Sequence, residues 1–352
     1  NLARDTPLLD FEKVPLAVYS PIATNTAYLY AGCYAYMPFK THGLTVTGTD
    51  DYYDNISSKT SLREAIDEAR AFPFYAVNGE FRITFDPEAF DSGMVWMNSN
   101  EPQIEIDVFT NTTLVIAAPT NCAVVLNGGG RFRAFHVKRG NRLRTENLTF
   151  YNCRGTTEGQ VQLSANGGAI NNEGFLVVSN CSFVGNAAGT RATESAYQSG
   201  FGGALATLWG GTSTVWRSSF MDNSAASGGA LYTGTGARND IFYSTFCGNK
   251  VSENAVGVAS YGGAIYSDMG RANAAPSETL LVNCTVAGNQ VVKNKGRGGG
   301  IASGSGLALL NSIVVGNTSG GMTNDVMAFD YATHTYAYTA YGVRSKTTNF
   351  AN

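Results

Sequence analysis

The chain has 352 residues, of which 43% are hydrophobic, 11% aromatic and only 14% charged, with a formal charge of -3. Glycine is abundant, at 41 residues against 9 prolines. This composition excludes collagen, a coiled coil, a basic nucleic-acid arm and global disorder, and neither nucleic acid nor an anionic membrane is expected as a partner.

Residues 1–43 read as an N-terminal extension. Its opening, NLARDTPLLDF, lacks the charged-then-apolar plan of a signal peptide, and without an initial Met the chain reads as mature or excised. No apolar run approaches the ~20 residues of a membrane span. Around residues 61–70, SLREAIDEAR predicts one helix, with Ser61 as N-cap and Glu64 completing a capping box. Its apolar face would carry Leu62, Ala65, Ile66 and Ala69. Farther on, NLTFYNC aligns with NCSFVGN, which sets Phe150 over Phe183 and Cys153 at the position of Asn186.

Between residues 167 and 317 two words alternate in fixed order. The first is Gly-Gly-Ala-apolar, at Gly167-Gly168, Gly202-Gly203, Gly228-Gly229 and Gly262-Gly263, with a Gly-Gly-Gly form at Gly298-Gly299. The second is apolar-x-x-Asn, ending at Asn186, Asn223, Asn249, Asn289 and Asn317. Successive asparagines lie 37, 26, 40 and 28 residues apart, so the words keep their order while the connections change length. That is the mark of a solenoid with insertions at fixed corners. The segments between corners are short and rich in β-branched and aromatic residues, so the expected fold is all-β: a right-handed parallel β-helix over residues 44–328. Glycine supplies positive φ or close backbone approach at corners, and stacked asparagines form an amide ladder. A helix at one end would cap the apolar cross-section. The tail, 329–352, contains YATHTYAYTAY and reads as an edge strand, a cap or a subunit contact.

GGA(I/L) with F-x-x-N resembles the repeats of chlamydial polymorphic outer-membrane proteins and related bacterial surface β-helices. The series LTVTGTDD, TSLREAI, FRITFD, LNGGGRFRAFHV, NLTF and NSIVVGNTSGGMTNDV is similar to bacterial and archaeal extracellular right-handed β-helix proteins with a CSLREA-type motif. Thr60 stands where that motif often has Cys. The resemblance covers roughly residues 44–328 and implies a secreted or surface-displayed, adhesin-like protein without implying one activity.

Many β-helices act on polysaccharides, so acidic residues are weighed as catalytic groups. The words of polygalacturonase-like enzymes are missing apart from Asp50-Asp51 in the wrong region, and GHG does not occur. Asp222, Asp240 and Asp268 are the candidates for a paired-carboxylate site, against a reading as solvated turn acids. Trp209, Trp216, Tyr232 and Tyr266 are candidates for a sugar-stacking stripe, against core and loop packing. His42, His136 and His334 lie in unrelated regions, and His136 reads as a strand residue facing solvent or a neighbouring coil. Cysteines 33, 122, 153, 181, 247 and 284 form no CxxC pair, and neither metal nor cofactor is expected. Cys181 and Cys284 share a repeat offset but should lie ~14 Å apart, too far for a disulfide. N-x-S/T words occur at Asn55, Asn111, Asn147, Asn180, Asn283 and Asn317.

The expected function is a non-catalytic scaffold at the cell surface or outside it. Its loops at 187–201, 250–261 and 268–278 would present a binding or assembly surface to a glycan or another surface protein. The alternatives are a polysaccharide lyase or glycoside hydrolase, and a sheath or filament subunit that self-associates through its ends.

Overall fold

The computed structural model describes residues 43–347 apart from 52–58, 73–74, 91–92, 98–102, 108, 110, 156–164, 190–199, 252–259, 271–274, 293–295 and 330–332. The N-terminal extension up to residue 42, with Cys33 and His42, and also Asn55, lies outside these residues.

The chain is a parallel β-helix. Each full coil contributes four short strands, and strands from successive coils pair in parallel to form four sheets, three long ones and a shorter seven-stranded one that begins at Arg154–Gly155. Sheet I is built mainly of five-residue strands such as Phe175–Ser179 and Thr212–Trp216, and sheet II of strands such as Ser182–Val184 and Ser219–Met221. Sheet III has two-residue strands such as Ala187–Ala188, and sheet IV contains the Gly-Gly-Ala-apolar words in strands such as Leu205–Thr207 and Leu231–Thr233. The last strands, His334–Ala337, Ala340–Tyr341 and Arg344–Thr347, add to sheets I, II and IV, so coiling continues past residue 328 into the tail.

Alternation puts one set of side chains into the bore. In sheet II the bore residues Phe150, Phe183, Phe220 and Phe246 are fully buried and stack face to face, with ring centroids 4.7, 4.6 and 4.6 Å apart. Parallel strands ~4.8 Å apart dictate that spacing when identical rings take the same rotamer.

The glycine word has a reason at each letter. Its first Gly holds φ between 62 and 68° in all five coils, a region costly for any residue with a Cβ. A Cβ on the second Gly would overlap backbone of the next coil: from Gly203 it meets Gly229 O, from Gly229 it meets Gly263 O, and from Gly263 it meets Gly299 O. The Ala and the apolar residue then enter the bore, as with Ala204 and Leu205, both at 0% exposure.

The asparagine word ends in a continuous amide ladder. Asn186 Nδ2 donates to Asn223 Oδ1, Asn223 to Asn249, Asn249 to Asn289 and Asn289 to Asn317, all at 2.8–2.9 Å. The same oxygens accept the backbone N–H of the previous coil, as Asn249 Oδ1 does from Asn223 N. Cys153 N donates to Asn186 at one end, and Asp325 Oδ1 accepts from Asn317 at the other. A carboxylate is a fitting terminus, since the final rung needs an acceptor and no donor.

A second ladder stands between sheets I and II: Cys181 N donates to Ser218 Oγ, Ser218 N to Ser244 Oγ and Cys284 N to Ser312 Oγ, each at 3.1 Å. Cys122, Cys153, Cys181, Cys247 and Cys284 are free thiols. Burial pushes Cys181 and Cys284 to about 11 and Cys153 to about 12, which leaves these three unreactive as nucleophiles.

Helix α1 spans Leu62–Ala71, with Ser61 as N-cap and a complete capping box to Glu64. Leu62, Ala65, Ile66 and Ala69 are all buried in the main core, next to the first strands of sheet I. Arg63 pairs with the buried Asp51 at 2.8 Å and ties the helix to the first strand of sheet II. Replacing Ser61 by Ala frees the amide of Glu64 and should cost about 1 kcal/mol, seen as faster hydrogen exchange confined to α1 and the strands beneath it.

Candidate functional site

Connections between sheets differ sharply in their freedom. From sheet I to II, two residues intervene in each coil between Ser179 and Ile313; from sheet II to III, two intervene in each coil between Tyr151 and Thr318. Over these coils the length variation is confined to the two corners that border sheet IV, whereas the first coils also vary between sheets I and II, with eight residues at 86–93, six at 118–123 and Asn147 alone. Segments 156–169, 189–204, 226–230, 252–264 and 292–300 lead into it and range from 5 to 16 residues, and those leading out range from 2 to 10, the longest being 268–277. The insertions therefore frame the outer face of one sheet. The expected loops 187–201, 250–261 and 268–278 all fall at these corners, although 190–199, 252–259 and 271–274 lie outside the described residues.

One outward row crosses that face in register: Glu105, His136, Asn171, Ala206, Tyr232, Tyr266, Ala302 and Met327. At its polar end Arg133 Nη1 donates to Gln103 Oε1 at 2.5 Å, Gln103 Nε2 to His136 Nδ1 at 3.2 Å, and His136 Nε2 to Glu173 Oε1 at 3.3 Å. Glu105 Oε1 stands 3.7 Å from His136 Nδ1, and Lys138 Nζ stands 3.0 Å from Glu105 Oε2. Such a relay fixes the imidazole tautomer and orientation. Burial lowers Arg133 to about 10, with the Glu173 charge opposing it. The hydrogen bond from His136 holds the Glu173 carboxyl below its ordinary value. Burial pushes Glu105 upward, but the Lys138 bond and charge outweigh it and the net direction is down.

A depressed carboxylate pKa stabilises the fold above its unfolded value of about 4.3, and that contribution is lost as pH falls through the folded value. The wild type should therefore unfold at higher urea than Glu173→Gln at pH 7, with the difference closing below about pH 4. A gap that persists unchanged at pH 3 would contradict this.

The aromatic end of the row is a second apolar cluster outside the bore, built from Tyr232, Tyr261 and Tyr266 with Leu208, Met327 and Phe329. Asp268 sits at its margin, where Oδ2 accepts from Tyr232 Oη at 2.9 Å and Thr235 Oγ1 at 3.1 Å, and Oδ1 accepts from Tyr266 Oη at 3.3 Å. Burial, then the Asp268 charge, raises the Tyr266 hydroxyl above the ordinary phenol range.

The candidate residues thus fall in separate places. Asp222 takes φ 55° at the corner between sheets II and III, where four other coils place Gly185, Gly248, Gly288 and Gly316. Asp240 faces outward on sheet I, where Arg238 Nε binds it at 2.9 Å and Arg238 Nη1 reaches Glu278 at 2.6 Å, along a groove of about 590 Å³. Asp268 belongs to the tyrosine cluster, so the three aspartates do not converge. The four aromatic candidates form no single stripe either. Trp209 is exposed on the turn after sheet IV, Trp216 ends a sheet I strand, and Tyr232 and Tyr266 are only 7% and 5% exposed. The burial corrects the reading of both tyrosines as open sugar-stacking platforms: the outer face of sheet IV is covered. The relay through Gln103, His136 and Glu173 escaped sequence reasoning because its members lie more than 30 residues apart and carry no shared word.

Among the described residues no group of three or more His, Cys, Asp or Glu side chains is placed to hold a metal ion, and no helix is long and apolar enough to cross a membrane. The Chlamydia polymorphic membrane protein repeat matches residues 243–268. That stretch carries both words, from Phe246 and Asn249 in one coil to Gly262 and Gly263 leading into the next strand of sheet IV. No curated protein and no solved structure matches the chain.

Proposed function

We propose that this protein is a non-catalytic, adhesin-like scaffold, secreted or displayed at a cell surface, that presents the insertions bordering sheet IV to a partner. The observation that supports this reading is the confinement of length variation to those two corners over the coils from Phe175 to Ser319, where the other two corners hold two residues each. A rigid core that tolerates change along one face is suited to recognition, because the loops vary without disturbing the ladders. The match of residues 243–268 to a membrane-protein repeat agrees with a surface role.

Segment 226–230 closes a coil with five residues, so segment 189–204 can be trimmed to that length without breaking the solenoid. The trimmed protein should keep its β circular dichroism and melting point but lose attachment to cells or matrix. Attachment at wild-type level by the trimmed protein would refute the reading, and so would sugar release from polysaccharides that disappears in Asp240→Asn. Ordered end-to-end copies in electron micrographs would favour the filament alternative.

A further inference from the structure

We propose that the short corner between sheets I and II, from Asn147 onward and on a side of the coil away from the insertions, is a groove for one extended chain of a carboxylated polysaccharide. The groove has a volume of about 340 Å³, and Thr149, Ser182, Ser219 and Thr245 form its floor. These four hydroxyl side chains are in register on successive strands of sheet II, directly beside the phenylalanine stack whose rings repeat every 4.6–4.7 Å. That interval is close to the length of one sugar residue in an extended chain. A polysaccharide running parallel to the helix axis would meet one hydroxyl rung per sugar, which no globular partner requires.

The wall of the groove carries the second observation. From Asn147 onward the corner residue sits in the left-handed region, and four coils place there the residue that adopts it most readily after glycine: Asn147 (φ 58°), Asn180 (52°), Asn283 (56°) and Asn311 (46°). Two adjacent coils in the middle instead hold Arg217 (46°) and Tyr243 (51°), and the last coil holds Tyr338 (50°), residues that occupy this region at a conformational cost. Arg217 and Tyr243 line the groove. Arg217 is exposed and pairs with no carboxylate among the described residues, unlike Arg144 and Arg238, and the groove lining contains no acid to neutralise it. Tyr243 is 54% exposed, and its ring lies 6.1 Å from Trp216, which itself stacks on Phe242 at 4.2 Å. An open aromatic surface takes the C–H face of a pyranose, amides and hydroxyls take its hydroxyl groups, and an unpaired guanidinium takes a carboxylate in two-pronged fashion.

The test uses the whole chain and two probes of the same linkage and stereochemistry, a β-1,4-mannuronate hexamer and a neutral β-1,4-mannan hexamer, in titration calorimetry. The uronate should bind about tenfold or more tightly than the neutral sugar, an increment expected of a charge-assisted bidentate bond. Arg217→Asn should abolish that preference, and Tyr243→Asn should weaken both ligands by about tenfold. Both substitutions install the residue of the other coils, so their melting points should equal or exceed that of the wild type. Thr245→Val, which keeps the strand and removes one rung, serves as an independent check and should also lose affinity. Absence of binding by the wild type, or wild-type affinity in all three variants, would overturn the proposal. Attachment through the sheet IV insertions is measured separately and would survive either outcome.

Discussion

Replacing Asn249 by alanine should destabilise the protein by roughly 3–6 kcal/mol, the largest loss expected from a change that deletes one side-chain amide. Asn249 is fully buried; its Nδ2 donates to Phe220 O and Asn289 Oδ1, and its Oδ1 accepts from both Asn223 N and Asn223 Nδ2. Truncation strands two donors and one carbonyl in a dry interior, and each costs about 1–3 kcal/mol when left without a partner. The midpoint of urea unfolding measures the loss. Asn180→Gly supplies the contrast, because Asn180 is exposed and glycine accepts its φ of 52°, so the change should stay within about 0.5 kcal/mol. Equal effects at the two positions would show that the buried ladder contributes no more than a surface amide.

Gly263→Ala should be more damaging still. The added methyl would overlap Gly299 O and press on Gln290 N and C at 2.7 and 2.9 Å, all backbone atoms of the next coil that cannot rotate away. Relief requires two coils to part, breaking the parallel pairing of Ile265–Ser267 with Ile301–Ser303. A loss above about 4 kcal/mol is expected, read as insoluble expression or absence of a cooperative melt. Gly288→Asn is the control: a Cβ on Gly288, at φ 66°, would meet only Cys247 Sγ at an ordinary 4.0 Å, and Asn152 holds φ 48° at the equivalent corner of an earlier coil. That variant should melt close to the wild type. A soluble Gly263→Ala protein with an unchanged melting point would remove close approach as the reason for the second glycine of each word.

Several ladders have the same physical origin, and they were not equally visible in the sequence. The asparagine row uses one residue type in five successive coils and the phenylalanine row in four, and both announce themselves as words. The serine row uses Ser218, Ser244 and Ser312 but is shared with Cys181 and Cys284, so it reads as small-residue noise. A further polar row lies at the corner leading from sheet IV to sheet I, where Thr207 Oγ1 donates to Asn239 Oδ1 at 2.8 Å and Asn239 Nδ2 to Thr233 Oγ1 at 2.7 Å. It has no fixed residue type at all. What repeats there is a hydrogen-bond requirement that serine, threonine and asparagine each satisfy.

The order of the glycine and asparagine words determined the coil, its corners and its bore, and the Ser61–Glu64 spacing determined the helix that covers one end. Those features follow from demands made on a single residue, a positive φ, a missing Cβ or a matched cap, and each is met by very few residue types. The outer faces answer to no such demand. Which residues meet there depends on coil lengths that vary from 26 to 40 residues and on the direction each side chain takes from its strand. Only the folded chain could bring Gln103, His136 and Glu173 into one relay, draw Tyr232, Tyr266 and Asp268 under cover, and set Arg217 beside Tyr243 above a row of hydroxyls, because contact between coils is fixed by stacking register and sequence distance carries no record of it.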